Sequence, residues 1–324
     1  MTQITTTEPL FTQVIVIRNP VSTNARRAQK RILKLQSLMP KTAFEIVDTA
    51  ASGRVANKAI LHKLSPKLGA KTLLCVAAGD GTINMVAEAL LNDPTLPAVA
   101  RLTPLLPLWG GNANDLAHML NGHGFMTPLT HILHAGKIVE IHPLTCTLDL
   151  PDGSQQKYSA LCYASFGASA FAARRLSQPA LRNHPLDKLP GGREIKEFIA
   201  TMQALFAAPQ VPIEEDGQIK DVYEHIFLKG SRFAKVKGAR LRLTDPHFYH
   251  TVMRRKRARS FLFHVWELTE PRAARRVAGD HASFVPQQAM WGQVDGEVFN
   301  IPAHTKVEIT LSRQSLRVFS TLLK

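Results

Sequence analysis

The chain has 324 residues, 45% of them apolar and 20% charged, enough apolar surface for a large core or two, which excludes a mostly disordered chain. Forty Lys and Arg against 25 Asp and Glu leave a formal charge of +15, a balance suited to an acidic partner such as nucleic acid, anionic lipid or a nucleotide. Cys75, Cys146 and Cys162 are widely spaced and form no Cys-x-x-Cys pair, so neither a disulfide framework nor a zinc site is suggested and a reducing cytoplasm fits best.

The opening stretch MTQITTTEPL lacks the basic start and apolar middle of a signal peptide. No apolar run approaches the ~20 residues of a membrane span. A cytoplasmic protein is expected, with any membrane contact peripheral. The run TQVIVIR (12–18) is β-branched and apolar, as in a strand buried on both faces, and Asn19-Pro20 stops it. After the cap candidates Ser22-Thr23-Asn24, the spacing of Ala28, Ile32, Leu35 and Met39 predicts an amphipathic helix. AFEIV (43–47) reads as strand, 55–64 as helix, TLLCVAA (72–78) as strand, 83–91 as helix and TPLLPL (103–108) as strand. Strands alternating with helices imply parallel pairing with crossover helices on the sheet faces.

From about Lys137 the pattern changes. KIVEIHPLTCTLDL, the turn Pro151-Asp152-Gly153 and KYSALCYASF read as long antiparallel strands. Gly191-Gly192 precedes a helical REIKEFIATMQALF, and VYEHIFLK, ARLRLT, SFLFHVWEL, KVEITL and SLRVFS read as short strands. The division expected is an α/β nucleotide-binding domain over 1–138 and a β-rich, sandwich-like acceptor-binding domain over 139–324, whose last strand can pack back on the first domain.

Three polar loops follow strands of the first half: Asn19-Pro20, Gly79-Asp80-Gly81-Thr82 and Gly110-Gly111-Asn112-Ala113-Asn114-Asp115. In open parallel sheets such loops bind ligands, because glycine admits close approach and the following helix start offers free N–H groups. Phosphate suits these positions, and Asp80 beside phosphate implies either a bridging divalent cation, which points toward Mg²⁺-assisted phosphoryl chemistry, or a role in orienting a hydroxyl. Taken alone, Gly79–Thr82 is a tight turn with Asp80 or Thr82 capping a helix; a second glycine-rich loop in the same sheet shifts the balance toward a ligand site.

AGDGTINMVAEAL resembles the Gly-Gly-Asp-Gly-Thr signature of the diacylglycerol kinase catalytic family, which includes sphingosine, ceramide and bacterial lipid kinases. PLWGGNANDLA resembles its second signature, Pro-x-Gly-Thr-x-Asn-Asp-x-Ala, and QVDGEVF its C-terminal Asp-Gly-Glu, in the same order and at matching separations. The resemblance implies a kinase-like α/β fold with a mainly parallel sheet plus a β-rich domain, and transfer of the ATP γ-phosphate to a lipid hydroxyl with Mg²⁺. It implies that Asn19, Thr49, Gly79, Asp80, Gly81, Thr82, Asn84, Gly111, Asn112, Asn114 and Asp115 surround the nucleotide, that Asp80 serves the Mg²⁺–phosphate region, and that Glu297 is the general base. NAD kinase, a kinase of soluble alcohols and a non-catalytic nucleotide- or lipid-binding protein are the alternatives.

Departures from the family pattern are Ala78 for the first glycine, Asn112 for threonine, and SFGASA where the family has Gly-Phe-Asp-Ala. TDPHFYHTVMRR offers only Asp245 where the family has an Asp-rich turn for a structural Mg²⁺, so no metal ligands are assigned. RRKRAR (254–259) and RAARR (272–276) would favour peripheral contact with an anionic membrane; with aromatics at 7% and no recognition motif, nucleic acid is not expected. His247 and His250 would meet on a helix but have no third ligand nearby, Cys75 reads as a buried small hydrophobe, and Trp109 could border the nucleotide.

Overall fold

The computed structural model describes residues 10–49, 54–111, 114–122, 127–176, 192–233, 236–237, 241–254 and 277–323. The chain divides into two compact units, Met1–Ile141 with Gln314–Lys324, and His142–Arg313. No helix among the described residues is long and apolar enough to cross a membrane.

The first unit runs β1 (Gln13–Arg18), α1 (Ala25–Leu38), β2 (Ala43–Asp48), α2 (Arg54–Leu64), β3 (Thr72–Ala77), α3 (Asp80–Asn92), β4 (Leu105–Pro107), α4 (Asp115–Asn121), α5 (Leu129–Ala135) and β5 (Lys137–Ile141), and takes in β20 (Leu316–Ser320). Its sheet has the order β2-β1-β3-β4-β20-β5, with only β5 antiparallel to its neighbour. β1 is apolar on both faces because both are covered: Val14 and Val16 join a cluster with Ala28, Ile32 and Leu35 of α1, while Ile15 and Ile17, on the opposite face, are equally buried. Cys75 is a buried member of that cluster, as its apolar setting predicts.

SLRVFS, grouped with the second half by its β pattern and expected to be able to pack back on the first, is the strand inserted between β4 and β5. Its end is pinned by Asn121, fully buried in α4, whose Oδ1 accepts the Thr321 N–H (3.1 Å) and whose Nδ2 donates to the Phe319 carbonyl (3.3 Å).

The second unit contains β6 (Leu144–Asp149), β7 (Gln155–Ala160), β8 (Tyr163–Gly167), α6 (Ala168–Leu176), α7 (Gly192–Ala207), β9 (Val211–Glu215), β10 (Gln218–Val222), β11 (Glu224–Leu228), the two-residue strands β12 (Arg232–Phe233) and β13 (Val236–Lys237), β14 (Phe248–Met253), β15 (Val277–Gly279), β16 (His281–Pro286), β17 (Met290–Val294), β18 (Glu297–Ile301) and β19 (Lys306–Leu311). Two six-stranded sheets, β10-β9-β16-β19-β6-β7 and β15-β14-β11-β8-β17-β18, share one apolar core. Alternate residues supply it: Leu144, Cys146 and Leu148 from one sheet meet Phe166, Phe227 and Val294 from the other, and the rings of Phe166 and Phe284 lie 5.2 Å apart.

Several elements differ from expectation. KIVEIHPLTCTLDL is two strands in different sheets, β5 and β6, because His142-Pro143 interrupts it and proline cannot donate to a ladder. KYSALCYASF breaks at Leu161-Cys162 into β7 and β8. In ARLRLT the described residues 241–244 are irregular chain and turn rather than strand, and His250 lies in β14 rather than on a helix. SFLFHVWEL, RAARR and all of RRKRAR beyond Arg254 lie outside the described residues.

Candidate nucleotide and catalytic site

All parallel strands of the first unit end at one edge of its sheet, and the loops leaving them there hold most of the residues expected around a nucleotide. α3 begins at Asp80, earlier than its apolar spacing predicts: Gly79, extended at φ −82° and ψ 172°, precedes it, and its carbonyl accepts the N–H groups of Thr82 (3.1 Å) and Ile83 (3.2 Å). Gly-Asp-Gly-Thr is therefore the entry and first turn of a 13-residue helix, the end at which the helix dipole concentrates positive potential.

Beside this turn runs Trp109-Gly110-Gly111. The Gly110 N–H donates to Ala78 O (3.0 Å). A Cβ on Gly110 would stand 2.5 Å from Ala78 N, and one on Gly111 would stand 2.3 Å from Gly79 Cα. Only hydrogen fits at either position. The loop is closed by Asn114, in left-handed backbone (φ 54°): its Oδ1 accepts Gly111 N–H (2.9 Å), its Nδ2 donates to Gly111 O (2.8 Å), and its own N–H donates to Asp80 Oδ2 (2.7 Å). Asp80 thus ties the two loops together. Asn24, read from sequence only as a helix cap, is a further clasp: its N–H donates to Gly110 O (3.0 Å) and its Nδ2 to Gly111 O (2.5 Å).

At the same edge, Asn19 Oδ1 accepts Val21 N–H (3.1 Å), and Thr49 N–H donates to Arg18 O (2.8 Å). Arg18 grips Asp48 with two bonds of 2.6 and 2.7 Å, which hold that carboxyl below its ordinary range. Asn84 and Asp115 are buried and Thr82 half-buried, whereas a Cβ on Gly81 would meet nothing within 4 Å. Asn112 lies outside the described residues. Trp109 does not present its ring to a ligand: the side chain is fully buried in the core cluster beneath the Arg31 guanidinium, 4.3 Å from the ring centroid. Burial lowers the Arg31 pKa to about 10.

Glu297 belongs to the second unit and opens β18, paired with Val294 across a two-residue turn. Asp295 (φ 47°) and Gly296 (φ 86°) form that turn with both residues at positive φ, the geometry favoured by Asp-Gly. The Asp295 carboxylate is buried and accepts three backbone N–H groups, from Leu161 (2.6 Å), Cys162 (2.9 Å) and Tyr163 (3.0 Å). Glu297 is half-buried on a turn fixed in this way.

The two departures involving missing acids have structural counterparts. In SFGASA, Glu224 reaches across from β11, accepting the Ser169 N–H and Oγ–H (both 2.6 Å), and burial pushes its carboxyl up to about 8. Gln293 Nε2 donates to Ser165 Oγ (2.8 Å), extending the same buried network. In the turn expected to carry a structural Mg²⁺, Asp245 Oδ2 accepts Arg242 N–H (2.9 Å), while the Asp245 carbonyl accepts from the ammonium of Lys229, a fully buried side chain whose pKa burial lowers to about 8. One carboxylate with a buried ammonium on its own carbonyl is a poor fit for a divalent cation, which would need further oxygen ligands and would be repelled by the Lys229 charge.

Residues 13–146 match the family model of the diacylglycerol kinase catalytic domain. The match takes in the loops after β1, β3 and β4. A solved structure of a diacylglycerol kinase from Bacillus anthracis str. Sterne resembles the chain with a TM-score of 0.64 at 14% identity, covering 97% of this chain and 98% of that one. Two more from the same strain, described provisionally as diacylglycerol kinases, give a TM-score of 0.65 each at 15% and 14% identity, covering 97% and 96% of this chain and 99% and 98% of theirs. Identity this low shows a shared fold. No curated protein matches the chain.

Proposed function

We propose that the chain is an ATP-dependent lipid kinase that transfers the γ-phosphate to the hydroxyl of a diacylglycerol or sphingoid-type lipid. One observation carries the reading: two glycine loops packed backbone to backbone at the entry of α3, with space above Gly81 for a phosphate group. Gly79, Gly81 and Thr82 would meet the phosphates, and Asn19, Thr49, Asn84, Gly111, Asn112, Asn114 and Asp115 would shape the surroundings of the nucleotide. The first unit is then the nucleotide-binding domain and the second the acceptor-binding domain.

Mg²⁺ would neutralise phosphate charge. Asp80 fits a hard cation that takes one or two carboxylates and completes its shell with phosphate oxygens and water. Glu297 would take the proton of the acceptor hydroxyl as the new P–O bond forms, which a fixed turn assists by holding the base in reach. The lipid class of acceptor draws support from α7, where Ile195, Phe198, Ile199 and Phe206 are 47–66% exposed at spacings that place them along one face. With a net charge of +15, such a face suits an anionic membrane holding the substrate.

The test is incubation of the protein with labelled ATP, Mg²⁺ and mixed-lipid vesicles, with NAD and soluble polyols in parallel reactions. A labelled lipid is the expected product. Labelled NADP or a labelled polyol alone would redirect the reading to another kinase, and no product with retained ATP binding would redirect it to a regulatory binder.

A further inference from the structure

We propose that Glu215, His225 and His250 form a binding site for a divalent transition-metal ion of the zinc type, set between the two sheets of the second unit. Each side chain supplies one ligand atom, and the three atoms lie within 4.8 Å of one another.

The residues come from strands of both sheets. Glu215 closes β9 and continues the inward series Val211, Ile213, both core residues. His225 precedes the core residue Phe227 by two positions on β11, and His250 follows the core residue Phe248 by two on β14. Strand alternation asks for apolar side chains at these inward positions, and an acid with two imidazoles stands there instead. The rings stack in an aromatic cluster, His225 on Phe284 (centroids 4.7 Å apart) and His250 on Phe227 (4.2 Å). Phenylalanine would fill that space without the cost of burying polar nitrogens.

His225 Nδ1 and His250 Nε2 lie 2.9 Å apart and share one hydrogen bond, yet His225 Nε2 is fully buried with no hydrogen-bond partner. An orphaned polar atom costs about 1–3 kcal/mol. A metal replacing the shared proton between His225 Nδ1 and His250 Nε2 would leave His225 Nε2 as the imidazole N–H, so the orphan marks an apolar site that tolerates polar nitrogens rather than a ligand atom. Imidazole nitrogens bound to one tetrahedral ion at ~2.0–2.1 Å stand roughly 3.3 Å apart, so the pair needs to open only slightly. Burial holds both imidazoles neutral, His250 down to about 4 and His225 lower than its ordinary value with help from His250 and Arg254. Neutral imidazole is the form that binds metal. Two histidines and one carboxylate suit Zn²⁺ better than Mg²⁺ or Ca²⁺, which prefer all-oxygen shells. An ion here would clamp β9 of one sheet to β11 and β14 of the other.

The test needs no kinase activity. The full-length protein is stripped with EDTA and titrated with Co²⁺, whose visible d–d bands report tetrahedral ligation, followed by displacement with Zn²⁺. One equivalent is expected to bind with intense bands and to raise Tm. Glu215→Gln and His250→Gln should each weaken binding by at least about tenfold, the scale seen even for outer-shell partners, while His247→Gln should leave it unchanged. Should His250→Gln fail to fold, Glu215→Gln at the strand end carries the test. Absence of a one-equivalent band, or bands that survive Glu215→Gln, would overturn the site.

Discussion

Gly79 and Gly111 lie back to back, so close that a Cβ on Gly111 would stand 2.3 Å from Gly79 Cα and 3.2 Å from its N. Two loops that are 32 positions apart in the chain thus make one surface. Gly111→Ala should cost about 1–3 kcal/mol through forced backbone movement and lose ATP affinity. Gly81→Ala behaves differently: with nothing within 4 Å of the added methyl and a helical position to favour it, stability should rise by about 0.5–1 kcal/mol while ATP affinity falls. Thermal denaturation alongside calorimetric nucleotide titration separates the two effects. Wild-type affinity in Gly81→Ala would remove the phosphates from this turn.

Asp80 Oδ2 accepts the Asn114 N–H, so its two substitutions should diverge. Asp80→Asn keeps an acceptor and should fold with nearly wild-type Tm while losing Mg²⁺-dependent turnover. Asp80→Ala should lose turnover and, in addition, about 1–3 kcal/mol from the stranded N–H while remaining folded. Equal activity in Asp80→Asn and wild type would reassign the residue to loop closure alone.

Glu297 stands next to a turn whose Asp295 binds three backbone N–H groups. Glu297→Gln should therefore leave the hairpin, Tm and ATP Kd unchanged and lower kcat by about 10²–10⁴-fold, the range for a general base. Unchanged kcat in single-turnover measurements would refute that role.

Glu224 carries a pH signature. Its folded pKa of about 8 is above its ordinary value of 4.5, so between those values the folded state binds the extra proton and stability falls as pH rises, levelling above 8. His225 and His250, with depressed folded values, act in the opposite sense: their contribution is intact above 6.5 and lost as pH falls below it. Glu224→Gln should isolate the first effect, flattening the decline of Tm between about pH 6.5 and 8. A decline equally steep in the variant would show that the carboxyl is ionised in the folded protein.

The exposed face of α7 offers a lipid-contact test. Phe198→Glu with Phe206→Glu should leave Tm within about 0.5 kcal/mol of wild type, as for most surface changes. The variant should lose vesicle binding and activity on a bilayer-borne substrate while keeping activity on a short-chain soluble analogue. Binding of the wild type should weaken with added salt as screening removes the electrostatic part. Equal loss on both substrates would point to damage at the site rather than at the membrane.

Local physics made much of the first unit readable from the chain. Val14–Ile17 is apolar because both sheet faces are covered, the spacing of Ala28, Ile32 and Leu35 is that of a helix with one buried face, and glycines at strand ends marked the loops. The Asp295-Gly296 turn was likewise written into two adjacent residues. Pairing at long range was not. The Ser315–Ser320 run has the same β pattern as its sandwich neighbours, and only packing against β4 and β5, secured by Asn121, assigns it to the first sheet. The clasp of Asn114 on Asp80, the reach of Glu224 to Ser169, the ammonium of Lys229 on Asp245 and the gathering of Glu215, His225 and His250 each join residues distant in the chain. Strand periodicity states which face a side chain takes; which side chain it meets there depends on sheet order and register, and those are decided by the free energy of the whole core.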